Sequence, residues 1–441
     1  MALLRGILIS SAILFMSCSS WAATIRVPED APSVLLAVDQ AVAGDSVVVS
    51  PGTWTHRETR IINIDGTPTA ITACAFPKGG VSILGEAGAS MTTLDIGEST
   101  EFLPTVVMIA NQIGAGDILV EGFTLTGATE SIAAHALTAF YADKVTLQSC
   151  RLVDNGSFST EGIVTVVRRV NLEMVDCEVS NNTGDTIIFA VDSPARFEQC
   201  RFNNNWGQCI QTHQELTGAP VSIENCEFIG NRWRGRGTCI DILFSPNILV
   251  QQNLFLRNVA TEFSGAGMRV SDCSGIIEFN VFTYDSSLSA GTSAGGMVLI
   301  NTTASVTNNS FIGCHGSIPG SAFIANDGSS ITFDKNLVAH STGSAAVQDY
   351  GNFVQTSSCN LFWSNEEGNG GSWEFAPTDI FADPLFCDFE SLDFTVREDS
   401  PCIIGGCGQI GALGIGCEDV SVDEMSWGKI KGLYRFGGKE Q

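Results

Sequence analysis

VTLQSCRL (residues 145–152), LEMVDCEV (172–179), ARFEQCRF (195–202), VSIENCEF (221–228), ILVQQNLF (248–255) and GIIEFNVF (275–282) are successive readings of one pattern. ILVEGFTL (118–125) precedes them, and ASVTNNSF (304–311), ITFDKNLV (331–338) and QTSSCNLF (355–362) follow. Apolar residues stand mostly five and three positions before a single slot and two after it. The slot holds Phe123, Cys150, Cys177, Cys200, Cys226, Asn253, Asn280, Asn309, Asn336 and Asn360, in steps of 27, 27, 23, 26, 27, 27, 29, 27 and 24 residues. A fixed period in this range marks a solenoid or another repeat array.

The interior of one repeat decides which. Val145, Leu147 and Leu152, or Val221, Ile223 and Phe228, alternate with the period of two that marks strands. A second apolar run follows each slot after a polar turn, as in EGIVTVV, GDTIIFAV, TCIDILF and GGMVLI. Nothing between these runs has helical spacing. Two or three short strands joined by polar turns make one coil of a parallel β-helix, so the expected fold is all-β, a parallel β-helix closed at its start by one helix. Equivalent residues of successive coils then stack about 4.8 Å apart. Asn suits a stacked slot because its amide both donates and accepts. A second polar column lies five residues later, at Asn155, Asn182, Asn205, Asn231, Asn258, Asp285 and Asn365.

Of the 441 residues only 16% are charged, below the ~25% of ordinary globular domains, as expected where turns use Gly, Asn, Ser and Thr. The continuous period predicts one elongated domain, each coil touching its neighbours, and a monomer. A formal charge of −26 argues against nucleic acid and anionic lipid as partners. An acidic polysaccharide remains within reach of a local basic patch or of bound calcium; no other cofactor is indicated. Residues 1–22 read as a secretory signal: Arg5, then an apolar stretch Ile7 to Phe15, then Ser20-Trp21-Ala22 as a small-x-small cleavage site. That stretch is shorter than the ~20 apolar residues of a membrane span. The expected place is outside the cell or at its surface, with no transmembrane segment. Residues 23–418 form the β-helix domain and 419–441 a tail that fits a sorting or anchoring element.

Cys150, Cys177, Cys200 and Cys226 fill consecutive slots. Same-face stacking aims neighbouring sulfurs poorly for bridging, so they are expected as unpaired core thiols, with Cys209 and Cys239 as a second such pair. Cys387, Cys402, Cys407 and Cys417 are the disulfide candidates. Near the start, Ser33 is placed to cap a helix over Val34, Leu35, Val38, Ala41 and Val42, with Gly44 as its stop. Residues 60–115 are the least regular, with two or three early coils expected.

TIRVPEDAPSVLLAVDQAVAGDSVVVSPGTW near the start and DPLFCDFESLDFTVREDSPCIIGGCGQIGALGIGC near the end resemble the opening and closing segments of secreted right-handed parallel β-helix proteins of the pectate-lyase-like superfold. The resemblance covers about residues 24–418. It implies a right-handed β-helix and export, and it implies little about activity, since this fold hosts lyases, hydrolases, epimerases and non-catalytic adhesins. The catalytic motifs of those enzymes are not recognisable here; Cys314-His315-Gly316 is not a Gly-His-Gly.

The most unusual composition is Asn231-Arg232-Trp233-Arg234-Gly235-Arg236-Gly237, three arginines around a Trp in an acidic chain. Trp206 and Trp233 fall six and seven residues after their slots, so the two indoles are expected as neighbours on adjacent coils. Guanidinium forks suit carboxylates or sulfates and a flat indole suits a sugar face. Trp206, Arg232, Trp233, Arg234, Arg236 and Arg257 are therefore the expected glycan-binding residues. For catalysis, a lyase needs a base and a cation, for which His213, Asp241 and Arg234 are candidates; a hydrolase needs two carboxylates, for which Glu215 and Asp241 are. Binding of a polysaccharide or cell-surface glycan is the leading expectation, and a polysaccharide lyase or glycoside hydrolase the alternative.

Overall fold

The computed structural model describes residues 22–97, 103–129, 134–156, 163–235, 237–262, 265–288, 294–317, 320–326, 328–350 and 354–417. The proposed signal up to Trp21, the tail 419–441 and Arg236 lie outside them.

One coil shows how the repeat folds. Ile248–Gln251 belongs to the first sheet and Leu254–Leu256 to the second; the short strand Val259–Ala260 follows, then Met268–Ser271 in the third. The next coil opens with Ser274–Glu278, which pairs parallel with Ile248–Gln251 through Ile248↔Gly275 and Val250↔Ile277. Repeated along the chain, this gives, among the described residues, a first sheet of thirteen strands, a second of twelve and a third of sixteen, wound as a parallel solenoid with Glu58–Ile64 added antiparallel at the edge of the third. Period-two alternation turns Val221, Ile223, Val250 and Ile277 inward, where they are buried.

Stacking of like on like holds the coils in register. Asn253, Asn280, Asn309 and Asn336 each donate Nδ2 to the Oδ1 of the next slot Asn, at 2.9, 2.9, 3.1 and 3.2 Å. The residue before each, such as Gln252 at φ 56° or Phe279 at φ 54°, takes the left-handed conformation that turns the corner. Non-glycine residues there cost roughly 1 kcal/mol each, which the amide ladder offsets. The second column runs likewise from Asn155 through Asn258 to Asp285. Two residues past the slot, Phe202, Phe228, Phe255, Phe282 and Phe311 stack with centroids 4.9, 4.9, 4.4 and 4.9 Å apart and nearly parallel planes.

The slot cysteines are buried and unbridged, as are Cys209 and Cys239. Burial pushes the Cys150 thiol up to about 11, and the buried, unbridged sulfurs of the slot pack as small apolar fillers. The disulfides are Cys359–Cys407 and Cys387–Cys417. Cys402, expected among the bridged residues, is instead buried and free, packed with Leu361, Val396 and Ile410.

Both ends are closed. The helix Val34–Gln40, with Ser33 Oγ accepting from Leu36 N, places Val34, Ala37 and Val38 on the first coil. Trp373 meets Phe323 and Phe333 edge-on at 5.7 and 5.1 Å at the other end. One segment departs from the expected coils. Glu58–Ile64 and Thr67–Ala75 form an antiparallel hairpin that turns at Asp65-Gly66, and its Ile62, Ile64 and Ile71 pack with Met108 and Phe140 of the third sheet.

Candidate functional site

On the third sheet, Ile163–Arg168, Thr183–Val191 and Trp206–His213 carry a floor of partly exposed side chains. Register aligns Val166, Phe189 and Gln211 in one row, and Arg168, Val191 and His213 in another. The first row continues into Asp241 and Arg269, which are 2% and 7% exposed. Gly237 lies against them, since a side-chain carbon there would stand 3.0 Å from Asp241 Cβ. The floor is thus open for three strands, about 4.8 Å apart each, between the hairpin on one side and the Gly237 turn on the other.

The sequence candidates distribute over this surface unevenly. Trp206 opens its strand and is 40% exposed. Its partner in register is Arg232, whose guanidinium carbon lies 5.4 Å from the indole centroid, within cation–π range. Trp233, one residue further, turns to the opposite face and is 8% exposed, with Arg234 5.7 Å from its ring. The expected side-by-side indoles are therefore corrected to two separate indole–guanidinium pairs. Among the described residues, neither Arg232 nor Arg234 has a carboxylate within ion-pair distance, whereas Arg151, Arg168, Arg196 and Arg269 do. Arg257 stands on the other side of the ladder, in the turn before Asn258, at φ 55° and exposed.

The catalytic candidates do not make a reactive pair, although register sets His213 two residues beyond Gln211, the partner of Asp241 on the next strand. His213 ends the strand that Trp206 begins, about 23 Å away at ~3.3 Å per residue. Its ring stacks on Phe244 at 5.2 Å, and its Nε2 is 3.4 Å from Glu215 Oε2. Asp241 is engaged with Arg269 Nη1 at 2.8 Å beneath the Gly237 turn, so it is a structural ion and not a solvent-facing base. Pairing Asp241 with Glu215 as hydrolase carboxylates fails for the same reason. Among the described residues, no group of three His, Cys, Asp or Glu side chains is gathered to hold a metal ion, and no helix is long and apolar enough to cross a membrane.

A cluster that the repeat pattern did not indicate lies at the hairpin tip. Asp65 accepts from the Tyr141 hydroxyl and from Arg168 Nη1, the latter at 2.7 Å, and Arg169 lies 5.6 Å over the Tyr141 ring. Donation to Asp65 raises the Tyr141 pKa, so the phenol is protonated at neutral pH. An open cleft of about 570 Å³ adjoins it, lined by Asn63, Asp65, Asn111 and Tyr141.

Coil geometry and the stacked columns define the class: a right-handed parallel β-helix protein with a roofed and partly open third sheet. Residues 109–271 match the family model described as "Right handed beta helix region". No curated protein is significantly similar to the chain. Similar solved structures include the A-module of the mannuronan C-5 epimerase AlgE6 of Azotobacter vinelandii, 13% identical over 79% of this chain and 95% of that one, TM-score 0.37. Pectate lyase Pel9A is 13% identical over 90% and 97%, TM-score 0.39, and a rhamnogalacturonan lyase 13% over 91% and 97%, TM-score 0.38. At such identity no activity is carried across.

Proposed function

We propose that this is an exported β-helix protein that binds an acidic polysaccharide on the outer face of its third sheet, with Trp206, Arg232 and Arg234 as the principal contacts. The observation that carries this reading is the exposed Trp206 indole beside the Arg232 guanidinium, which like Arg234 two residues on has no carboxylate partner among the described residues, in a chain of formal charge −26. An acidic protein holds most arginines in ion pairs; those left over are the ones a carboxylate or sulfate of a glycan can take. The indole offers an apolar plate to a sugar ring. Binding without chemistry is favoured because Asp241 is buried in an ion pair with Arg269 and the His213 ring is stacked on Phe244. An enzymatic reading rests on the Tyr141 phenol, which is held protonated at the groove edge and could act as an acid.

The test is calorimetric titration of the mature protein with uronate-containing and sulfated polysaccharides, with and without calcium, following unsaturated and reducing ends in parallel. Trp206→Ala and Arg232→Ala should each weaken binding about tenfold, the equivalent of about 1.4 kcal/mol, without product formation. Unchanged affinity in both variants defeats the binding reading, and product formation lost in Tyr141→Phe replaces it with the enzymatic one.

A further inference from the structure

The hairpin does not fill the space it roofs. Between it and the third sheet lies a cavity of about 320 Å³, at the small end of ligand sites, which begin at about 300 Å³. It is separate from the Trp206 surface and has a different chemistry. Its apolar lining is Ile64, Ile71, Leu103 and Phe140, and its polar lining is Thr67 and Thr69 from the hairpin with Thr105, Thr138 and His135 from the sheet.

The polar side is a relay ending on an open nitrogen. Thr105 Oγ1 donates to Thr138 Oγ1 at 3.3 Å, and Thr138 Oγ1 lies 2.8 Å from His135 Nδ1. Thr105 Oγ1 has a second acceptor in Val107 O at 3.2 Å, so its single proton does not fix the His135 tautomer. Among the described residues Nε2 has no partner, so it is left to donate or to accept, according to tautomer, toward whatever occupies the cavity. Burial also holds the His135 pKa down at about 4, so the ring is uncharged at neutral pH. The carboxylate on the lining, Asp65, is already taken by Arg168 and Tyr141. Among the described residues of the lining, no free charge of either sign meets the occupant.

We infer that this cavity is a second binding site, taking one uncharged sugar ring that carries an apolar edge, such as a deoxy or O-alkylated sugar. The ring hydroxyls face Thr105, Thr138 and His135, and the apolar edge faces Ile71 and Phe140. A free uronate is excluded, because its carboxylate would be desolvated with no cation to meet it. The ligand class thus differs from the acidic chain proposed for Trp206 and Arg232, and the site stands or falls separately.

The probes are three methyl glycosides, a 6-deoxyhexoside, its parent hexoside and the corresponding hexuronoside, read by saturation-transfer NMR and titration. The 6-deoxyhexoside is expected to bind in the millimolar range and the hexuronoside at least tenfold more weakly. Thr69→Phe, which fills the cavity from the hairpin side, should abolish binding, and His135→Leu should weaken it at least tenfold, while Trp206→Ala leaves it unchanged. The melting temperature of each variant separates loss of the site from loss of the fold. The inference is overturned if none of the glycosides binds, if the uronoside binds as tightly as the deoxyhexoside in Trp206→Ala, where the acidic-glycan site is weakened, or if folded Thr69→Phe retains full binding.

Discussion

Asp285 shows how much a single atom matters in a ladder. Each Asn of the second column uses Oδ1 to accept from the coil before and Nδ2 to donate to a backbone carbonyl, as Asn231 does to Phe202 O and Asn258 to Phe228 O, at 2.8 and 2.9 Å. Asp285 keeps the first role, accepting from Asn258 N and Nδ2 at 2.8 Å each. Its Oδ2 replaces the donor and is buried without a hydrogen-bond partner. Burial accordingly raises its pKa well above the usual carboxylate range. A folded-state pKa above the unfolded one means that stability falls as pH rises from about 4 through the folded value. Asp285→Asn restores a donor aimed at Phe255 O. It should stabilise the protein by ~1–2 kcal/mol at pH 8 and by less at pH 4. Urea denaturation at the two pH values measures this; an equal or negative effect at both would show that the lone carboxyl is already satisfied. The ladder itself was legible in the sequence because its spacing repeats. The missing donor was legible too, as the Asp in a column of Asn, but its cost depends on burial, which a sequence does not state.

At the scale of elements, register decides what the repeat brings together. Trp206 and Arg232 are 26 residues apart, the same step as their slots Cys200 and Cys226, so they pair; Trp233 is one residue on and faces the other way. The sequence therefore held the correct neighbour, and counting offsets from the slot without that one-residue parity misses it. The hairpin is a different case. Asp65-Gly66 between Ile64 and the run ending at Ile71 carries a strong hairpin signal, yet it falls where the solenoid period lapses, and an antiparallel roof is not implied by any coil. Its effect is measurable at His135. Burial lowers the pKa of this ring to about 4, and the hairpin lines the cavity it faces. A lowered pKa in a base contributes stability that is complete above the unfolded pKa of about 6.5 and is lost as pH falls toward 4, amounting to roughly 1–3 kcal/mol. Replacing residues 61–70 by a short turn should return the His135 pKa toward 6.5 in an NMR titration and flatten the acid limb of the stability profile. A value that stays near 4 would assign the shift to the sheet instead of to its roof.

Over the whole molecule, coils touch only their neighbours, so stability sums along the axis and the ends are the weak points. The amino end is closed by a helix, which the apolar spacing after Ser33 announces. The carboxyl end is closed by a segment that travels backward. After the strands Phe386–Asp388 and Asp393–Val396, the chain passes along the second sheet, where Gly411 N donates to Lys335 O at 2.8 Å and Ala412 N to Ser310 Oγ at 2.9 Å. Asn308 Nδ2 reaches Gln409 O at 2.8 Å, and Ala412 packs with Leu254 and Val281. Contacts across about a hundred residues of sequence leave no periodic trace, which is why the cysteines expected to be bridged included Cys402, which is free, and left out Cys359, which is bridged to Cys407. Cys359–Cys407 ties this strap to the last coil, and Cys387–Cys417 ties it to the closing hairpin. Reduction of both should cost ~2–4 kcal/mol or more and should do so locally. Hydrogen exchange should rise in Ser310–Ile312 and Leu337–Ala339, which the strap covers, and stay unchanged in Arg151–Val153, many coils away. If reduction instead loosens all coils equally, the solenoid folds as one cooperative unit and the strap holds more than its own end.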